Sequence, residues 1–167
     1  GGPVHTTGVD GWGRGAEVCW YYPGARNPGD TGRSRRGVVA SWRDGVHMVA
    51  HWTALGPYYV RVFRWGGSYY AIARAGVFLR SRDGESAFEE GPSLFGQDSR
   101  YVLRHAAVDL RGDTLSVYYS RIGDCPERIL VSQIPLTSDW TTWRASNPED
   151  VLRPDTEYEG GKLPLKP

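Results

Sequence analysis

Apolar positions along this chain come in short runs, and none keeps helical spacing. The runs include Glu17-Val-Cys-Trp-Tyr-Tyr22, Gly37-Val-Val-Ala-Ser41, Val60-Arg-Val-Phe-Arg64, Tyr69-Tyr-Ala-Ile-Ala-Arg74 and Gly76-Val-Phe-Leu-Arg80. Val102 to Leu110, Thr114-Leu-Ser-Val-Tyr-Tyr119 and Arg128-Ile-Leu-Val-Ser132 follow. β-Branched and aromatic residues dominate them, and clusters of Gly, Pro, Asp and Asn separate them, the pattern of strands joined by tight turns. No long window holds an i, i+3, i+4, i+7 apolar stripe, so helix is expected in less than about one tenth of the chain.

The runs repeat. Each unit offers a strand, a tight turn, and a strand ending in paired aromatics: Tyr21-Tyr22, Tyr69-Tyr70 and Tyr118-Tyr119. The turns are Trp65-Gly66-Gly67-Ser68 and Arg111-Gly112-Asp113-Thr114; Gly11-Trp12-Gly13 also reads as a turn. A third strand ends in Ser, and an Asp-Gly corner leads to a fourth strand. The corner is Ser41-Trp-Arg-Asp-Gly45 in the first copy, Ser81-Arg-Asp-Gly84 in the second, and looser in the third, from Ser132 to Trp140. Four strands per roughly 40 to 45 residues is the spacing of a propeller blade. The prediction is all-β: three four-stranded antiparallel blades forming an incomplete arc within a single propeller-type domain spanning 1–167. The units run from about 1 to 56, 57 to 96 and 97 to 154, with a tail at 155–167. A β-sandwich would also give short strands and frequent turns, but it has no reason to repeat the aromatic pair and the Asp-Gly corner.

Composition narrows the function classes. The 167 residues suffice to bury a core, and the net charge of +1 demands neither nucleic acid nor an acidic membrane. Basic residues are nearly all Arg, dispersed, with no helix to place them in a groove, so no nucleic-acid partner is expected. No window approaches a membrane-spanning length, so no membrane partner is expected either. Cys19 and Cys125 lie too far apart in sequence to suggest a disulfide framework, and four scattered histidines have no zinc-site spacing; no metal and no cofactor are expected. Thiols outside any disulfide suit a reducing compartment, so a cytoplasmic location is expected. The chain opens at Gly1, and its single methionine is Met48, which reads as a trimmed or excised segment.

Three stretches carry a resemblance. They are Gly56-Pro-Tyr-Tyr-Val-Arg-Val-Phe-Arg-Trp-Gly-Gly-Ser-Tyr-Tyr70, then Gly76-Val-Phe-Leu-Arg-Ser-Arg-Asp-Gly84 with Phe88-Glu-Glu-Gly-Pro92, and Tyr119-Ser-Arg-Ile-Gly-Asp-Cys-Pro-Glu-Arg-Ile129. They resemble the glycosidase-like five-bladed β-propeller proteins, the arabinanase, xylosidase and invertase-like superfamily. The resemblance spans nearly the whole chain and implies the middle portion of a longer five-bladed protein. The segment Val151 to Gly160 resembles that group's linker into a further blade.

In such propellers the first strand of each blade lines the central channel, and its start joins the second-to-third-strand loops to form the ligand face. Glycoside hydrolysis needs two facing carboxylates, about 5 Å apart for retention or about 6.5 to 9.5 Å for inversion. The resemblance implies acids at the first-strand starts, yet this chain has Pro3 and His5, then Tyr59 and Arg61, then Arg104 and His105. Two acids remain in the last unit, Asp124 and Glu127, either as ion pairs bracing a loop or as a hydroxyl-holding group and a proton donor. The basic groups His5, Arg61, Arg104 and His105 either fill the channel and pair with backbone carbonyls or bind a sugar carboxylate, and Tyr59 or Trp65 either packs or stacks on a sugar ring. The functional expectation is a glycosidase-like propeller that binds a carbohydrate, whether it also cleaves it being open. The alternative is a non-catalytic interaction module, a propeller fragment that joins a second copy of itself or the missing blades of a longer protein.

Overall fold

The computed structural model describes residues 10–14, 17–24, 36–44, 46–57, 59–96 and 103–161. They form three four-stranded antiparallel sheets, each with its strands in sequential order. The first holds β1 (Asp10–Arg14), β2 (Glu17–Gly24), β3 (Arg36–Trp42) and β4 (Val49–Pro57). The second holds β5 (Arg61–Trp65), β6 (Ser68–Ile72), β7 (Phe78–Ser81) and β8 (Glu89–Glu90). The third holds β9 (Leu103–Arg111), β10 (Thr114–Arg121), β11 (Ile129–Pro135) and β12 (Glu149–Leu152). Two three-residue 3-10 turns are the only helical elements among the described residues. This is the propeller-blade topology expected from the repeat.

The chain divides into two compact units, 1–91 and 92–167, so the first two sheets share one unit and the third stands in the other. Within the first unit the two sheets share a core. Cys19, Tyr21, Val39 and Leu55 of the first sheet meet Val62, Tyr69, Ala71 and Leu79 of the second, all at most 5 % exposed. Their alternation along each strand follows from the period-2 geometry of a strand. The opposite face of the second sheet clusters Tyr70 with Phe63 and Phe78, at centroid distances of 5.5 and 5.8 Å, the two phenylalanine rings lying 6.5 Å from each other. In the third sheet Leu115, Val117, Leu130 and Ile134 are buried on one face, while Tyr118 and Ile129 on the other are exposed.

The Asp-Gly corners are capping devices. Asp44 Oδ1 accepts from the backbone N–H groups of Val46 and His47 at 3.0 and 2.8 Å. Asp83 Oδ1 accepts from those of Glu85 and Ser86, both at 2.9 Å. The looser third copy uses Asp139, whose Oδ1 accepts from Thr141 N–H at 3.1 Å. Each turn keeps a carboxylate for otherwise unsatisfied amides, the reason Asp recurs there. The serines that precede the corners, Ser41, Ser81 and Ser132, are all buried.

Two readings from sequence need correction. Gly11-Trp12-Gly13 is no turn; it lies within β1, paired with β2 from Trp20 to Val18. The aromatic pairs are not equivalent positions either. Ser41 stands three residues before its Asp and Ser81 only two, so Trp42, not Ser41, matches Ser81. Trp42 pairs with Val18 and Ser81 with Tyr69. Tyr69 therefore occupies the place of Val18, and Tyr70 that of Cys19. The aromatic pair of the first sheet therefore lies three positions further along its strand than that of the second.

Candidate functional site

The polar cluster of the third sheet forms where its first strand begins. Leu103, 3 % exposed, anchors the start of β9 in the core. His105 pairs with Ser120 and Leu103 with Arg121, so the register slips and Arg104 has no direct partner on β10. Such a bulge re-aims a side chain. Here the loop between β10 and β11 returns to meet it: Arg104 Nη1 donates to Glu127 Oε2 at 2.9 Å, and Ser120 Oγ donates to Glu127 Oε1 at 2.8 Å. Both oxygens of Glu127 are engaged as acceptors. The side chains of Arg104 and Glu127 are 55 % and 46 % exposed, so this ion pair alone contributes about 1 kcal/mol or less.

Asp124 belongs to a second network. Its Oδ2 accepts from Arg121 Nε at 3.2 Å and from Arg128 Nε at 3.3 Å. Arg128 Nη1 continues to Asp150 on β12 at 3.2 Å, and Arg153 reaches the same carboxylate at 3.7 Å. Alternating charges thus tie the β10–β11 loop to the outer strand. Arg121 is only 10 % exposed, which makes its pairing with Asp124 necessary, because a buried guanidinium without its carboxylate is strongly unfavourable.

Beside this cluster opens a cleft of about 520 Å³ whose lining includes His105, Tyr118, Glu127, Ile129 and Leu152. Its floor is apolar and its polar groups gather at the end where β9 starts. A second cleft of about 390 Å³ is lined by Phe95, Tyr119, Arg121, Arg144 and Asn147.

The structure brings Arg104, His105 and Glu127 to one end of the third sheet and places Asp124 in the adjoining network. Tyr59 and Arg61 hold the matching place in the first unit, at the entrance to β5. Tyr59 has φ +62, a left-handed conformation costly for a side chain of its size. Arg61 Nη1 donates to the Val60 carbonyl at 3.2 Å. His5 lies outside the described residues, as does Pro3. His47 pairs with Asp44, and His51 Nε2 contacts Ser41 Oγ at 3.1 Å, so both serve the first sheet's own structure. Ser120, Arg128 and Asp150 escaped sequence reasoning. Only the register brings Ser120 beside Glu127, and only the edge strand brings Asp150 beside Arg128.

No family model matches the sequence. The chain is 41 % identical over 142 residues to an uncharacterized protein of Acanthamoeba polyphaga mimivirus; the match covers 77 % of this chain and 40 % of that protein. The chain thus spans well under half the length of the curated relative it matches. Solved structures share its fold. The GH32 beta-fructofuranosidase BmSUC1 of Bombyx mori superposes with a TM-score of 0.65 at 12 % identity, covering 85 % of this chain and 37 % of that one. The GH43 BlXynB protein of Bacillus licheniformis gives 0.63 at 10 % identity, covering 85 % and 30 %. The family 117 glycoside hydrolase Zg3597 of Zobellia galactanivorans gives 0.60 at 9 % identity, covering 85 % and 55 %. The resemblance to glycosidase-like five-bladed propellers therefore holds as a likeness of fold.

Proposed function

We propose that this protein is a carbohydrate-binding propeller that holds a neutral or anionic sugar without hydrolysing it. The sugar sits at the polar end of the third sheet, on Arg104, His105, Ser120 and Glu127. One observation carries the reading: each candidate carboxylate is already committed to arginine. Glu127 is held by Arg104 and Ser120, and Asp124 by Arg121 and Arg128. A general acid must present a proton to the leaving oxygen, and its partner must face the opposite side of the bond. Neither acid does so here. The same groups suit sugar hydroxyls, because a charged pair offers a donor and an acceptor side by side.

Titration of glucose and glucuronic acid against the protein, followed by calorimetry, tests the binding. Arg104→Ala should weaken it by about 1 kcal/mol, roughly fivefold; a charge-assisted bond contributes more when buried, but Arg104 is half exposed. A panel of nitrophenyl glycosides tests the chemistry. Release of nitrophenol that Glu127→Gln abolishes would overturn the non-hydrolytic reading. An unchanged sugar affinity in Arg104→Ala would show that the wrong end of the sheet has been chosen.

The second reading, a non-catalytic interaction module, is favoured by a separate observation: both the first and the third sheets carry large exposed apolar side chains. Trp20 is 40 % exposed, Ile129 41 % and Leu152 62 %.

A further inference from the structure

We infer that the cleft over Tyr119 in the second unit is a separate small-molecule site, one that takes a monocarboxylate carried on a flat apolar ring. It shares no residue with the sugar site proposed above.

The cleft measures about 390 Å³, a size that suits a small ligand. Its walls are the segments 94–96 and 144–148, and Leu103, Tyr119 and Arg121 of the third sheet complete it. All of these residues belong to the unit 92–167. Main-chain bonds hold the walls in place. Ala145 N–H donates to the Leu94 carbonyl at 2.9 Å, and Ser146 N–H donates to the Gln133 carbonyl at 2.8 Å. Ser93 Oγ donates to the Gly96 carbonyl at 2.6 Å and closes the turn that carries Phe95. A cleft fixed in this way leaves little ordering for a ligand to impose.

The floor is apolar. Leu94, Leu103 and Tyr119 are all buried. The Tyr119 hydroxyl is already bonded to Ser132 Oγ at 3.1 Å, so its ring is what it offers the cleft. Phe95, half-buried, stands edge to face against that ring with centroids 5.2 Å apart. Aromatic and aliphatic surfaces of this kind suit a flat ring. A sugar would need polar partners around its ring, and this floor supplies none.

The rim supplies charge of one sign. Among the described residues, the lining holds two arginines and no carboxylate. Arg121 is matched by Asp124 at 3.2 Å. Arg144 has no acid partner among the described residues; its Nη1 donates to the carbonyls of Thr141 and Trp143 at 3.2 and 2.6 Å. Those two bonds orient the guanidinium and leave its Nε–Nη2 edge uncommitted, the edge that grips a carboxylate with two parallel bonds. The side-chain amide of Asn147, in the same lining, is uncommitted as well. One unmatched positive charge beside an apolar floor calls for one negative charge on an apolar body.

Benzoate is the probe, titrated into isotope-labelled protein and followed by NMR. It should shift the signals of Arg144 and Asn147 first, with a dissociation constant on the order of 1 mM, the range open to so small a ligand. Benzamide, its neutral isostere, should bind about tenfold more weakly. Arg144→Gln should weaken benzoate by about tenfold, the loss of a charge-assisted pair at an exposed rim, and leave glucose affinity unchanged. Circular dichroism checks the fold, and Asn147→Ala repeats the test, with a loss of about threefold, if Arg144→Gln does not fold. Equal affinity for benzoate and benzamide overturns the inference, as does no binding by about 10 mM. Shifts confined to His105 and Glu127 overturn it too, because benzoate would then occupy the sugar end of the sheet. If glucose fails to bind while benzoate behaves as stated, the sugar reading falls and this site stands.

Discussion

Gly84→Ala should be among the most damaging single-methyl additions to this protein. Gly84 has φ +77, where an L side chain costs roughly 1 to 2 kcal/mol. A Cβ there would meet Tyr21 Oη at 2.9 Å and the Tyr69 ring at 3.0 and 3.1 Å. Tyr21 and Tyr69 are 1 % and 5 % exposed, so neither ring has room to swing away. Tyr21 Oη also donates to the Gly84 carbonyl at 3.1 Å, a buried bond that ties the first sheet to the corner of the second. Displacing it leaves a hydroxyl and a carbonyl unsatisfied, which costs about 1 to 3 kcal/mol. Overpacking adds a similar amount. The expected loss is about 4 kcal/mol, a large share of a typical domain's stability.

Two comparisons separate these contributions. Gly67 has φ +81 but nothing within 4 Å of an added Cβ, so Gly67→Ala reports the backbone cost alone, about 1 kcal/mol. Tyr21→Phe removes the hydroxyl without adding a methyl and should cost about 1 kcal/mol through the unsatisfied carbonyl. Urea unfolding followed by tryptophan fluorescence measures all three. If Gly84→Ala destabilises no more than Gly67→Ala, the tight packing of the two sheets at this corner is wrong.

Other substitutions probe the core, the capping and the ion-pair network. Leu79→Ala, at a side chain 2 % exposed between the first two sheets, should cost about 3 kcal/mol by urea denaturation. Hydrogen bonds from Ser86, and then from Glu85 and Ser81, hold the Asp83 carboxyl well below its ordinary range. Its stabilisation is present above about pH 4 and lost as pH falls through the lowered value, so Asp83→Asn should flatten the acid side of a stability–pH profile. Asp124→Asn should destabilise by about 2 kcal/mol, measured the same way, because Arg121 is nearly buried and loses its charged partner.

How far the fold was legible depended on which faces are buried. Strands with one buried face announced themselves: β10 alternates Leu115, Val117 and Tyr119 inward, and its turn residues Gly112 and Asp113 punctuate the hairpin. The outer strands did not. β12 is Glu-Asp-Val-Leu, exposed throughout, and β8 is two glutamates, so backbone pairing with an inner neighbour makes them strands rather than any side-chain pattern. β1 hid for another reason. Its two glycines are turn formers in a local reading, and only the ladder with β2 fixes them as extended.

The site was legible in part for a related reason. A repeat argument can say which residues start the first strands and which fill the loop after the second, and Arg104, His105, Asp124 and Glu127 followed from that. It cannot say which acid meets which arginine, because that depends on a register slip at Ser120 and Arg121. The slip turns Arg104 toward Glu127 and leaves Asp124 to Arg121 and Arg128. Two acids that looked equivalent in sequence therefore sit in different networks, one half exposed and one mostly buried. Had the strands paired without the slip, Arg104 would have stood opposite a β10 residue and Glu127 would have lacked its arginine. The bulge thus decides which acid meets which arginine at this end of the sheet, and both oxygens of Glu127 are taken up as acceptors.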